Sequence, residues 1–309
     1  MNLHHHPFTL RQLQYVVAVA DRASFRRAAE DCGVSQPSLS AQVALVEDTL
    51  GLRLFDRTHR RVALIPGATE WVDQARALLR AADLLNAIAT QARNPFAGNL
   101  RIGAIPTIAP YFLPDVATPL RACFPALRFV WVEEKTVTLL AQLERRELDA
   151  AILAGDPGLP DYDAALIGHD PFLLAALPDH PLLTADAPPT ASDLAPFELF
   201  LLSDGHCFRD QVFAFCNRPG LTESPWRATS LATLVQMTAS SGGVTLIPTL
   251  AAAVENRRST LALRAFGDPQ PTRPIHLVWR RDAANAVALR AIAAELARLL
   301  ASLPSGTPA

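Results

Sequence analysis

Cysteine is scarce in this chain: four residues among 309. That is too few for a disulfide scaffold, and no Cys-x-x-Cys pair offers a zinc site. No apolar run reaches about 18 residues, so no membrane span is predicted. An apolar leader is missing as well, since His4, His5 and His6 stand before Pro7; no secretory signal is read there. Strong charge of either sign is absent. The net charge is −2, and nothing global announces nucleic acid. These absences imply a reducing cytoplasm, where any disulfide would be transient and meaningful. They imply no metal and no cofactor.

What is present is apolar and locally organised. Half the residues are hydrophobic, enough for two to three compact domains with their own cores. Residues 1–65 carry 8 Arg against 6 acidic residues, a mild basic bias. Thr9 reads as the cap of a first helix whose buried stripe is Leu10, Leu13, Val16, Val17 and Ala20. Ser24 caps a second helix, with Phe25, Ala28 and Ala29 inward, and Gly33 supplies the positive φ that ends it. Ser35 caps a third, where Pro37 is tolerated because first-turn N–H groups need no internal partner. Two short helices across a tight turn predict a helix-turn-helix. Ser35, Gln36, Ser38 and Gln42 give the third helix a polar face able to read base edges. Residues 52–57 and 60–64 then read as short strands around a basic tip, a wing whose arginines would touch phosphates. A plain three-helix bundle with a solvated loop is the blander reading. Caps, turn, polar helix start and basic hairpin occurring together argue against it.

This segment resembles the LysR family of bacterial transcription regulators. The resemblance rests on Phe25-x-x-Ala28-Ala29, Val34-Ser35-Gln36-Pro37-Ser38-Leu39-Ser40, Leu45, Leu50-Gly51 and Leu54-Phe55-Asp56-Arg57. Ile65-Pro66-Gly67-Ala68 departs from the family's usual Thr-Pro-x-Gly and leaves the start of the next helix open. The resemblance implies a winged helix-turn-helix over 1–65 with double-stranded DNA as partner. Ser35, Gln36, Pro37, Ser38, Arg57, Arg60 and Arg61 would lie on that DNA, and RNA polymerase would be a further partner. The Ala/Leu-rich segment 68–93 has no internal Gly or Pro and predicts a rod of about 40 Å. Its apolar stripe wants a partner, and the family implies that 66–95 is a linker and dimerisation helix.

From residue 96 on, strand-like and helix-like runs alternate. Residues 100–105, 129–132, 150–153, 172–177, 244–247 and 275–279 read as strands; 139–148, 231–239 and 285–300 read as helices. That order predicts an α/β fold. The family implies an effector domain over 96–309, like the periplasmic binding proteins, with a ligand cleft between two halves. Subdomain I would take about 98–169 plus 275–303 and subdomain II about 170–274. The chain would cross near Gly168-His169-Asp170 and return near Pro274.

Residues 203–216 hold two of the cysteines, Cys207 and Cys216. Asp204 and Gly205 read as a helix start, and Phe208, Val212 and Phe215 as its buried face. Cys207 then stands in the first turn, with His206 and Arg209 as neighbouring donors, surroundings that lower a thiol pKa. Nine residues along a helix separate the two sulfurs by roughly 13 Å, on opposite faces, whereas a disulfide needs Cα atoms within about 7 Å. If the two ever bond, the helix must come apart. Two inert apolar cysteines are the plain alternative. Cys32 and Cys123 read as packing residues.

Within the LysR family, Asp204-Gly205-His206-Cys207-x-Arg209-Asp210-Gln211 followed by Phe215-Cys216 resembles the peroxide-sensing, OxyR-type branch. So do Arg227-Ala228-Thr229-Ser230-Leu231, Ile105-Pro106-Thr107 and Leu139-Leu140-Ala141-Gln142-Leu143. The resemblance implies a regulator rather than an enzyme. Cys207 would become a sulfenic acid under hydrogen peroxide and Cys216 would resolve it as a disulfide. Thr107, Thr136, His206 and Arg280 would hold the peroxide, with Thr138 and Arg281 as rivals for two of these places. Asp210 would tie the helix to Arg209 or a neighbour. A thiol reductant such as glutaredoxin or thioredoxin would reset the switch, and homodimers or homotetramers would carry it. Two other readings stay open: a LysR regulator answering a small organic effector in the same cleft, and a thiol peroxidase.

Overall fold

The structure, a computed structural model, describes residues 6–56, 62–155, 158–205, 207–216, 222–257 and 261–303. The chain divides into two compact units, 1–89 and 90–309. His4, His5, Arg57, Arg60, Arg61 and His206 lie outside the described residues.

In the first unit, α1 (Leu10–Arg22), α2 (Phe25–Cys32) and α3 (Gln36–Leu50) are followed by strands β1 (Phe55–Asp56) and β2 (Ala63–Leu64), then α4 (Ala68–Arg93). The three capping hydroxyls act as the sequence predicts: Thr9, Ser24 and Ser35 accept from the amides of Gln12, Arg27 and Ser38. Each satisfies one of the orphan donors of a helix start. Gly33 ends α2 in the left-handed region at φ 65°. Leu13, Val16, Val19, Ala28, Ala29, Leu39 and Val43 form the core, and Leu10, at the very start of α1, is 48% exposed. Glu47 is buried on α3, and its Oε1 accepts the amides of Leu54 (2.8 Å) and Phe55 (3.2 Å). That contact fixes the root of the β1–β2 hairpin to α3, since a buried carboxylate needs such donors.

In the second unit the order is β3 (Gly98–Ala104), α5 (Ala109–Cys123), β4 (Leu127–Glu133), α6 (Thr136–Glu144), β5 (Ala150–Ala154), β6 (Tyr162–Ala176), α7 (Pro181–Thr184), β7 (Glu198–Leu202), α8 (Cys207–Cys216), β8 (Thr222–Ala228), α9 (Leu231–Ser241), β9 (Thr245–Pro248), α10 (Thr249–Glu255), β10 (Ala262–Ala265), β11 (Thr272–Arg280) and α11 (Ala286–Ser302). Strand β3 pairs in parallel with β4 and β5, and β5 is buried at all five positions. A strand covered on both faces reads as an unbroken apolar run, as 150–154 does. β6 is the connecting element. Its first part pairs with β11 from Tyr162 to Pro171, and its last part leaves β11 for β9 and β10. Gly168 and His169 lie opposite Ile275 and Pro274. Each half has its own core: Leu100, Ile102, Phe112, Leu139 and Trp279 in one, Phe200, Leu202, Phe208, Val212 and Leu246 in the other.

Candidate functional site

Helix α8 is built as its apolar period dictates. Phe208, Val212 and Cys216 are at most 1% exposed and belong to the second core. Phe215 is half-buried, edge-on to the ring of Phe266. Cys207, at the first helical position, instead packs half-buried against the first core. The two sulfurs thus serve different cores, and all four cysteines are free thiols. Gly205 takes φ +83° in the turn ahead of the helix, a conformation that other residues rarely adopt.

Arg209 does not supply the donor to Cys207 that its sequence position suggests. Its guanidinium is held by Glu223 on β8 and by Asp204 at 2.9 Å, and Glu223 also pairs with Arg227 at 3.0 Å. The carboxylates that tie this arginine down are therefore Glu223 and Asp204, not Asp210. Gln211 reaches the other half of the domain, donating from Nε2 to the carbonyl of Ala154 (3.0 Å).

Ile105, Pro106 and Thr107 after β3, Lys135 and Thr136 at the start of α6, and Gly205, Cys207 and Phe208 line one small pocket. Water-sized molecules can centre within about 10 Å³ of it, room for one such molecule or little more. Thr107 is 3% exposed, and its Oγ1 accepts from Arg273 Nη1 at 2.8 Å. That occupies a lone pair and leaves the hydroxyl proton free to point elsewhere. The Thr136 Oγ1 is buried with no hydrogen-bond partner, which argues against a capping role and for an occupant of the pocket. Thr138 is exposed and lines nothing here.

Neither arginine suggested for the pocket lines it. Arg280 ends β11 paired with Asp282 (3.0 Å), and Arg281 pairs with Asp163 (3.4 Å) at the surface. Arg280 is the last paired residue of β11, opposite Tyr162, and Arg281 follows it, at the far end of the strand from Arg273. The arginine that does reach Thr107 is Arg273, at the other end of that strand. It is fully buried, its Nε and Nη2 donate to Asp170 Oδ2 (3.0 and 2.9 Å), and Nη2 also donates to the Thr107 carbonyl (2.8 Å). Its guanidinium lies 5.7 Å from the Phe208 ring centroid. Asp170 Oδ1 in turn accepts the amide of Leu250 (3.1 Å). No local sequence signal marks this residue, because Asp170 and Thr107 lie 103 and 166 residues away along the chain.

Burial pushes the Cys216 thiol up to about 12, because the apolar core disfavours the thiolate. At neutral pH Cys216 is therefore protonated and out of reach. Iodoacetamide added to the reduced, folded chain at pH 7.5 should modify Cys207 and spare Cys216 on peptide mapping. Equal labelling of both would mean that α8 opens without oxidation. The thiol form also carries a linkage: a folded pKa above the unfolded one adds stability that is present below the unfolded value. That stability is lost as pH rises from roughly 8.5 toward 12.

On the first unit, Ser35, Gln36, Pro37 and Ser38 are exposed at the start of α3. Gln42 is half-buried and its Oε1 accepts from Gln12 (3.0 Å), which leaves its Nε2 donors for other partners. Cys32 is half-buried, as a packing residue would be, but Cys123 is exposed and its Sγ donates to Glu295 (3.3 Å).

Residues 10–67 match the bacterial regulatory helix-turn-helix protein, lysR family, and residues 93–301 match the LysR substrate binding domain. The chain is 42% identical over 272 residues to the DNA-binding transcriptional dual regulator OxyR of Escherichia coli K12, covering 88% of this chain and 89% of that protein. A full-length OxyR variant from Pseudomonas aeruginosa superposes with a TM-score of 0.71 at 35% identity, covering 95% of each chain. A hydrogen-peroxide-bound OxyR variant from Corynebacterium glutamicum gives 0.66 at 30% identity over 99% of each.

Proposed function

The chain belongs to the LysR family of bacterial regulators, and we propose that it is a DNA-binding transcription activator that senses hydrogen peroxide through Cys207 and Cys216. The observation that carries this is the pocket: a half-buried thiol shares a water-sized space with Thr107 and with a buried, unpartnered Thr136 hydroxyl. A space for about one water-sized molecule suits hydrogen peroxide better than an organic effector.

In the first step the Cys207 thiolate attacks one peroxide oxygen, an S–O bond forms as the O–O bond breaks, and hydroxide departs. Thr107, whose oxygen is occupied by Arg273, turns its proton outward as a donor, and Thr136 can donate or accept. His206, next to the sulfur, is a further candidate. In the second step the Cys216 thiol displaces water from the sulfenic acid and the disulfide forms. For the sulfurs to meet, α8 must unwind and withdraw Phe208 and Val212 from the second core. Burying two such side chains is worth about 3–6 kcal/mol, so the oxidised chain reburies them on a new surface. A subunit interface is the natural place, and rotation there would change the spacing of the DNA readers.

In this reading 1–65 bind DNA through Ser35, Gln36, Pro37, Ser38, Arg57, Arg60 and Arg61, 66–95 pair protomers, and 96–309 sense. Leu78 and Leu85 on α4 are 48% and 70% exposed, apolar positions that a partner helix would cover. A dimer or tetramer in the cytoplasm, RNA polymerase, and a thiol reductant of the glutaredoxin or thioredoxin kind complete the proposal. The family is one of regulators, not of enzymes, and a thiol peroxidase would need no DNA reader. One equivalent of peroxide added to the reduced full-length chain should remove two thiols, with mass spectrometry finding a Cys207–Cys216 link. No thiol loss would return the reading to the organic-effector regulator.

A further inference from the structure

Lys135 is the only lysine among 28 basic residues of the chain, and it stands at the rim of the pocket that holds Cys207. It occupies the cap position of α6 but makes no side-chain cap hydrogen bond. Its Nζ instead donates to the carbonyl of Asp204 (3.3 Å), which leads into the turn that starts α8. Its stem passes that turn closely: a Cβ built on Gly205 would lie 3.7 Å from both Lys135 Cδ and Nζ. The ammonium is thus held over the residues that position the reactive sulfur.

The other charges around this sulfur are already matched. Arg209 is neutralised by Asp204 and Glu223, and Arg273 is buried against Asp170 with the Phe208 ring beside it. Asp210 lies on α8 itself, and Glu133 and Glu134 are exposed on the approach to α6. Among the described residues, no ion pair involves Lys135, and no other cation lines the pocket. A lysine suits the place because its charge is compact and its stem flexible, whereas an arginine fork asks for a planar acceptor.

We propose that Lys135 is an electrostatic positioning residue for Cys207, pinning the 204–205 turn and holding a positive charge beside the sulfur as it attacks peroxide. The proposal rests on the peroxide reading of this pocket. A positive charge at the pocket rim stabilises the negative charge that develops on the departing hydroxide, so the O–O bond breaks faster with Lys135 than without it.

The test follows the rate of Cys207 sulfenic acid formation at neutral pH, in reduced full-length protein carrying Cys216→Ser, with hydrogen peroxide and a sulfenic-acid trap. In Lys135→Gln, which keeps an N–H donor but loses the charge, the rate should fall about tenfold, a modest loss because solvent screens a rim charge. Lys135→Arg should restore most of the rate. Raising salt should slow the wild type and leave Lys135→Gln unaffected. A Gln variant with the unaltered rate and salt response, beside a reactive wild type, would overturn the role of Lys135 alone. A wild type that forms no sulfenic acid would overturn it together with the peroxide reading.

Discussion

Cys207→Ser should abolish the response to peroxide altogether, leaving thiol loss at the level of Cys32 and Cys123 and DNA binding indifferent to oxidant. The serine hydroxyl keeps the size of the side chain but is not deprotonated at neutral pH and does not attack an O–O bond. Cys207 is the only cysteine in the pocket, and Cys216 cannot substitute for it: it is fully buried and its thiol is pushed up to about 12. Cys216→Ser should behave differently, losing one thiol per chain and accumulating a trappable sulfenic acid without the stable link. The pair separates the roles, since only the first variant should be silent to a sulfenic-acid trap. If Cys207→Ser still lost two thiols with one equivalent of peroxide, the chemistry would have to start elsewhere, and the pocket would lose its meaning.

Much of this was legible because local rules decide it. Three hydroxyl caps and Gly33 fixed the helix-turn-helix residue by residue, and the period of Phe208 and Val212 placed α8. What stayed hidden depended on contacts distant in sequence. Helix α5, a segment given no reading in sequence, contains Pro114 and Pro119; Pro114 is exposed, and water can serve the carbonyl left without its donor. The first half of β6 alternates too weakly to mark a strand, because its partner β11 lies more than a hundred residues on. Arg273 was missed for the same reason: nothing nearby in sequence tells that Asp170 and Thr107 converge on it. Arg280 was placed there by resemblance to the family, with a clear strand just before it.

Arg273→Met should be the most damaging single change outside the cysteines. The side chain is fully buried and makes four hydrogen bonds, two to Asp170 and two to Thr107. Removing it leaves the Asp170 carboxylate, 2% exposed, with the Leu250 amide and no counter-charge. Breaking such a pair from one side costs about 3–5 kcal/mol. For a domain of this size that corresponds to roughly 10 °C in the melting temperature. Replacing both partners with apolar residues, Arg273→Met with Asp170→Leu, should recover most of that loss, because no buried charge is then left alone. It should not recover the reaction with peroxide. Without the guanidinium, Thr107 Oγ1 loses the donor that turns its proton into the pocket, so the double variant should fold well and form sulfenic acid slowly. Thermal melts and a sulfenic-acid trap on the same samples separate the two effects. A single variant melting within a degree or two of the wild type would show that water replaces the arginine. A stable double variant reacting at the wild-type rate would place the orientation of Thr107 outside the mechanism.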